Sequence, residues 1–127
     1  MKEKIITLSD QKLEMLKKHF QILTFNSDFD LIYESQIPNT GIILLSGEIY
    51  LTKNNKMKSL LEPGSVVGFY NLLNNEPVEF GYRVKGNSDI ILIQKLEMIE
   101  ALTKKTSPLH TIVKKIPILE SSTHKNK

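Results

Sequence analysis

No cysteine occurs among the 127 residues, which excludes a disulfide framework, a thiolate metal site and a cysteine nucleophile together. That composition suits a reducing compartment, and a cytoplasmic location is expected. Arginine is nearly absent as well: sixteen of the seventeen basic residues are lysine, Arg83 being the exception. Because arginine is the usual reader of phosphate forks and base edges, nucleic acid is not an expected partner. No apolar run approaches the ~18 residues of a membrane span. Residues 1–20 scatter Lys2, Lys4, Lys12, Lys17 and Lys18 among their apolar positions instead of forming a signal peptide's continuous block. The expectation is a soluble, unexported protein with no membrane partner.

Motifs of catalysis are missing too. His19, His110 and His124 are never at metal-ligand spacing, and each reads as a surface histidine. Glu34, Glu48, Glu62, Glu76 and Glu79 are scattered over turns and strands, with no second motif to mark an acid and base pair. Gly64 and Gly68 form neither a Walker loop nor a dinucleotide fingerprint. No enzymatic activity, metal or cofactor is expected.

What is present fits one domain over residues 1–120, followed by a polar segment, residues 121–127, expected to be disordered. The net charge of +3 is concentrated in residues 95–127, which hold seven Lys and three Glu. Leu8-Ser9-Asp10 followed by Leu13, Leu16 and Phe20 predicts a capped amphipathic helix that covers a sheet. Short β-rich runs follow at 22–25, 31–33, 42–45, 48–52, 57–61, 66–67, 79–84 and 89–93. Turn residues separate them at Pro38-Asn39-Thr40-Gly41, Ser46-Gly47, Asn54-Asn55, Pro63-Gly64 and Gly86-Asn87. This is the pattern of an antiparallel sandwich or barrel. Helical spacing returns with Leu96, Ile99 and Leu102 on one face, and Ser107-Pro108 has the form of an N-cap with proline in the first helical position.

The most informative stretch reads Gly64-Ser65-Val66-Val67-Gly68-Phe69-Tyr70-Asn71-Leu72-Leu73-Asn74-Asn75-Glu76-Pro77-Val78-Glu79-Phe80-Gly81-Tyr82-Arg83. It resembles the phosphate-binding cassette of cyclic-nucleotide-binding domains, G-x-x-x-G-E-x-A-L-L-x-x-x-P-R-[ST]-A-x-V-R. Asn39 to Leu51, with Gly47 at its turn, is similar to a strand pair of that family, and Leu60-Leu61-Glu62-Pro63-Gly64 to the turn before the cassette. The resemblance covers about residues 8 to 115. It implies a mainly β fold with flanking helices, an eight-stranded antiparallel jelly roll with an N-terminal helix and C-terminal helices. Glu34-Ser35-Gln36 departs from the family's E-G-D, which puts a glycine bend there in question.

The resemblance also implies a ligand site at Gly68, Phe69, Tyr70, Asn71, Val78, Glu79 and Phe80. Phe69 stands where the pattern has the Glu for the ribose hydroxyl, and Val78 where it has the Arg for the cyclic phosphate. Each lost hydrogen bond to a charged group is worth about 1.5–3 kcal/mol, so cyclic AMP and cyclic GMP are not expected to bind at micromolar concentration. Glu79, if turned inward, would repel a phosphate further. Backbone N–H groups at Gly68 to Asn71 leave room for a weak anion site. Arg83 is expected on the roll's surface, paired with an acid. Two readings of the pocket stay open: large apolar side chains fill it, or it takes a changed ligand, either an apolar small molecule or a cyclic nucleotide or dinucleotide held in another manner.

In transcription regulators of this family the last helix is long, dimerises as a coiled coil and leads to a helix-turn-helix. Here Pro117 is expected to stop or kink it. A monomer, or a dimer without a long coiled coil, is therefore expected. The function expected is a non-enzymatic regulatory or interaction module with a protein partner. Its predicted contact surface is Tyr70, Leu109, Ile112, Val113 and Ile116, continuing to Ile118 and Leu119, with Lys53 and Lys56 on the opposite side.

Overall fold

The computed structural model describes residues 6–118. It opens with β1 (Ile6–Thr7) and α1 (Asp10–Lys17), whose N-cap is Ser9: the Ser9 hydroxyl accepts from the Lys12 N–H at 3.2 Å. Leu13 and Leu16 of α1 are buried against the sheet beneath, as their spacing requires. The strands β2 (Leu23–Phe25), β3 (Phe29–Ile32), β4 (Thr40–Ser46), β5 (Ile49–Lys53), β6 (Lys56–Leu61) and β7 (Ser65–Val67) follow. Then come α2 (Phe69–Asn74), β8 (Gly81–Val84), β9 (Ser88–Gln94), α3 (Lys95–Thr103) and α4 (His110–Val113).

All eight predicted runs are strands, and β1 is a ninth, two residues long, which pairs antiparallel with β7. The strands make two antiparallel sheets in the orders β1-β7-β4-β9-β2 and β3-β8-β5-β6. The result is a mainly β roll with flanking helices. Local backbone chemistry sets the turns: Gly47 between β4 and β5 has φ +90, and Asn54 and Asn55 between β5 and β6 both have positive φ, which suits a tight hairpin. Ser35, at the position where a glycine bend was in question, has φ 70. The bend persists without glycine because the Gln36 side chain accepts from the Tyr33 N–H at 2.8 Å while the Gln36 N–H donates to the Tyr33 carbonyl.

The five-stranded sheet is apolar on both faces, and two cores result. Ile43, Leu45, Val66, Ile91 and Ile93 face the helices, with Leu13, Leu16, Met98, Leu109 and Val113. Ile42, Leu44, Val67 and Ile90 face the roll's interior, with Ile32, Ile49, Leu51, Tyr82 and Val84. Gly41 allows the close approach on the helix side, since a Cβ there would meet Met98 Cε and Phe69 Cε1.

The helical C-terminal part differs from the sequence reading in two ways. In α3 the buried residues are Met98 and Ala101, whereas Leu96 and Ile99 are exposed at 65% and 46%. The helix carries two apolar stripes at i, i+3 spacing, and the one that faces the sheet is the smaller pair. The Ser107 hydroxyl does accept a backbone N–H, from Leu109 at 3.1 Å, but α4 begins only at His110 and ends at Val113, before Pro117. Among the described residues no helix is long and apolar enough to cross a membrane. Leu119, His124 and the polar segment 121–127 lie outside the described residues.

Candidate functional site

The cassette is a strand, a tight turn and a short helix. β7 delivers the chain to Gly68, which takes φ +80, a conformation that L side chains resist, and α2 starts at Phe69. Asn75 closes the helix in the left-handed region, φ 55. The loop beyond is tied back to the helix twice: the Asn71 side-chain amide donates to the Pro77 carbonyl at 2.9 Å, and the Glu76 N–H donates to the Asn71 carbonyl at 2.9 Å. Val78 is held against the bend after β3, its N–H donating to the Gln36 carbonyl at 2.9 Å while its carbonyl accepts from the Ser35 N–H at 3.0 Å.

The residues predicted to surround one pocket point to different places. Phe69 is buried in the helix-side core. Val78 is buried in the roll's interior, and Phe80 packs half-buried against the same interior. Because Phe69 opens a helix whose apolar face meets α3 and β4, its ring turns away from the roll, and it does not fill a common cavity with Val78. Glu79 is exposed, so its carboxylate does not turn inward. Arg83 donates to Asp30 at 2.9 Å, with both side chains about two-fifths exposed; this is the expected surface pair.

The predicted contact surface is also revised. Tyr70, Leu109, Ile112, Val113 and Ile116 are all buried, none more than 7% exposed, and belong to the same helix-side core. Their apolar character serves to build that core, in which α4 packs against α3. Lys53 is not on an opposite side. Its ammonium donates to the Glu79 carbonyl at 3.1 Å, lies 5.9 Å from the Phe80 ring centre and pairs with Glu34 at 3.5 Å, so it clamps the end of the cassette to the β5–β6 hairpin. His19 lies just past the end of α1 and is exposed, whereas His110 is half-buried, with its Nδ1 2.7 Å from the Ala101 carbonyl.

Two side chains that the sequence reading did not single out complete the site. The buried Asn74 amide donates to the Tyr70 carbonyl at 2.9 Å and to the Pro117 carbonyl at 2.9 Å, linking α2 to the chain after α4. Glu76 accepts from the Tyr70 hydroxyl; burial, with the Glu76 charge adding to it, raises the Tyr70 phenol above its usual range. Asn71 Oδ1 is buried with no hydrogen-bond partner. Among the described residues no group of His, Asp and Glu could hold a metal ion. A separate cleft of ≈ 410 Å³ lies between the end of α1, α3 and the segment before α4, and none of its lining residues belongs to the cassette.

No protein-family model and no curated protein matches the chain. Solved structures do. A protein of a cyclic-GMP-dependent signalling pathway that regulates bacterial phytopathogenesis is similar at 15% identity over 87% of this chain and 91% of its own, with a TM-score of 0.68. The Thermus thermophilus catabolite activator protein is similar at 14% identity over 84% of this chain, TM-score 0.62, although the chain spans only 53% of that protein. The regulatory subunit of a cAMP-independent protein kinase A from Trypanosoma cruzi, bound to guanosine, is similar at 21% identity over 69% of this chain and 32% of its own, TM-score 0.53. With its two-sheet roll, its flanking helices and its strand-turn-helix cassette, this chain has the fold of the cyclic-nucleotide-binding domains.

Proposed function

We propose that the chain is a non-enzymatic regulatory module that works through a protein partner, on a fold whose usual phosphate and ribose ligands have been lost. One observation carries this reading: Phe69 and Val78, in the places where the family pattern has its Glu and Arg, are both buried apolar side chains, in two different cores. The chain's single arginine is already engaged by Asp30. A cyclic phosphate entering the roll would meet no guanidinium, and burying its charge unpaired is costly.

A second reading, a sensor of a neutral or differently held ligand, is favoured by Asn71 Oδ1, a buried acceptor without a partner, which suits a ligand bearing an N–H or O–H donor. The Trypanosoma cruzi subunit, part of which is similar in fold, is bound to guanosine, a nucleoside without phosphate. Calorimetric titration with cyclic AMP, cyclic GMP, a cyclic dinucleotide and guanosine separates the two. The first reading expects no saturable heat at micromolar concentration with any of them. Saturation by guanosine alone supports the second, and micromolar binding of a cyclic mononucleotide would overturn the first.

A further inference from the structure

We propose that the outer edge of β6 docks a short, extended, acidic segment of a partner protein, which joins the four-stranded sheet as an additional strand. This inference concerns a different surface from the cassette and does not depend on what the cassette binds. β6 ends the order β3-β8-β5-β6 and pairs with β5 alone. The other edge strands are shorter: β1 has two residues, β2 three and β3 four, against six in β6. Five of the six residues of β6 are exposed and the sixth is half-buried, so no helix or loop among the described residues covers the strand. An edge strand in that condition presents N–H and C=O groups free to pair with another chain.

The side chains select the occupant. Met57 and Leu60 are exposed at 58% and 44% and offer apolar contact to an added strand. On this sheet Lys53 pairs with Glu34, Arg83 with Asp30 and, just past β8, Lys85 with Glu48. Lys56 and Lys58 have no acid among the described residues, which leaves two uncompensated positive charges on the edge itself. A second copy of β6 would double that charge on one ladder, and like charges across a ladder are destabilising. Carboxylates on the incoming strand would neutralise it.

The pairing also limits the segment's length. Ser59 lies opposite Leu51 and Met57 opposite Thr52, so Lys58 is an extra residue in β6 and the strand bends there. A long flat strand would part from the edge at that bend. A short one that follows the bend, lying along Lys56–Leu61 with its acids toward Lys58 and Lys56, would not.

The test uses the full chain, a fluorescent peptide alternating glutamate with valine, and a control peptide alternating lysine with valine. The glutamate peptide is expected to bind, more weakly as salt rises, and to shift the backbone amide signals of residues 56–61 in preference to those of the cassette. The double variant Lys56→Glu, Lys58→Glu changes exposed side chains only; it should weaken the glutamate peptide by about tenfold or more and favour the lysine peptide. Equal binding of both peptides, amide shifts confined to other regions, or an unchanged affinity in the double variant would overturn the proposal. So would dimerisation of the free chain through β6, or duplex DNA that displaces the peptide from the same lysines.

Discussion

The side-chain amide of Asn74 donates to the Pro117 carbonyl at 2.9 Å while also capping the Tyr70 carbonyl within its own helix. One buried amide therefore joins the cassette helix to the chain after α4, across 43 residues of sequence. Replacing Asn74 by Ala leaves the Pro117 carbonyl without this donor. The expected cost is about 1–3 kcal/mol, read as a lower midpoint in thermal unfolding. Amide exchange in residues 112–118 should accelerate more than exchange in β4 or β9. Uniform acceleration throughout the chain would mean that the bond stabilises the fold globally and is no local tie.

Restoring the missing ligands by substitution is expected to fail. On the sequence alone, Phe69→Glu with Val78→Arg should return some affinity for cyclic AMP if the cassette backbone is intact. In the structure both positions are closed: the glutamate would lie in the helix-side core, and the arginine in the roll's interior. Removing a buried phenylalanine ring alone costs about 3–5 kcal/mol, and an unpaired buried charge adds to it. The double variant should lose most of its stability and bind no cyclic AMP by calorimetry. A folded variant with micromolar affinity would show that a side chain at position 69 can leave the helix-side core and turn into the roll.

Tyr70 makes stability depend on alkaline pH. Its phenol is raised above the ordinary value of about 10 by burial first and by Glu76 second. In the window from pH 10 upward the unfolded chain loses this proton while the folded chain keeps it. The contribution is complete below pH 10 and is lost as pH rises through the folded value. Absorbance titration should show a late-ionising phenol that is missing from Tyr70→Phe. If the variant's titration curve matches the parent's after allowing for one fewer tyrosine of ordinary pKa, the raised value belongs elsewhere.

How far the sequence reached depended on whether a signal was local. The β runs were legible because asparagine, glycine and proline punctuate them, and α1 because Leu8-Ser9-Asp10, which holds its N-cap Ser9, precedes the spaced apolar residues. The left-handed Ser35 was not legible, because a side chain at Gln36 holds that bend and composition does not announce it. In α3, Leu96-Ile99 and Met98-Ala101 have the same spacing, so periodicity had no means of choosing between them. The contact surface was misplaced for a similar reason: Tyr70, Leu109, Ile112, Val113 and Ile116 are apolar whether they meet a partner or the chain's own core. Lys53 and Asn74 act through backbone carbonyls distant in sequence, Glu79 and Pro117, and a carbonyl has no sequence signature.

Gly41 has a consequence for which strand alignment the chain can adopt. Ile42, Ile43, Leu44 and Leu45 are all buried, so shifting β4 by one residue would still place oil against oil on both faces, and polarity would hardly oppose the error. Shape opposes it instead. In the shifted alignment Ile42 would arrive at the place now left empty by Gly41, where Phe69 and Met98 already lie. The glycine thus works as a gauge pin in the central strand: the native alignment is the one that leaves space for Phe69, the first side chain of the cassette helix.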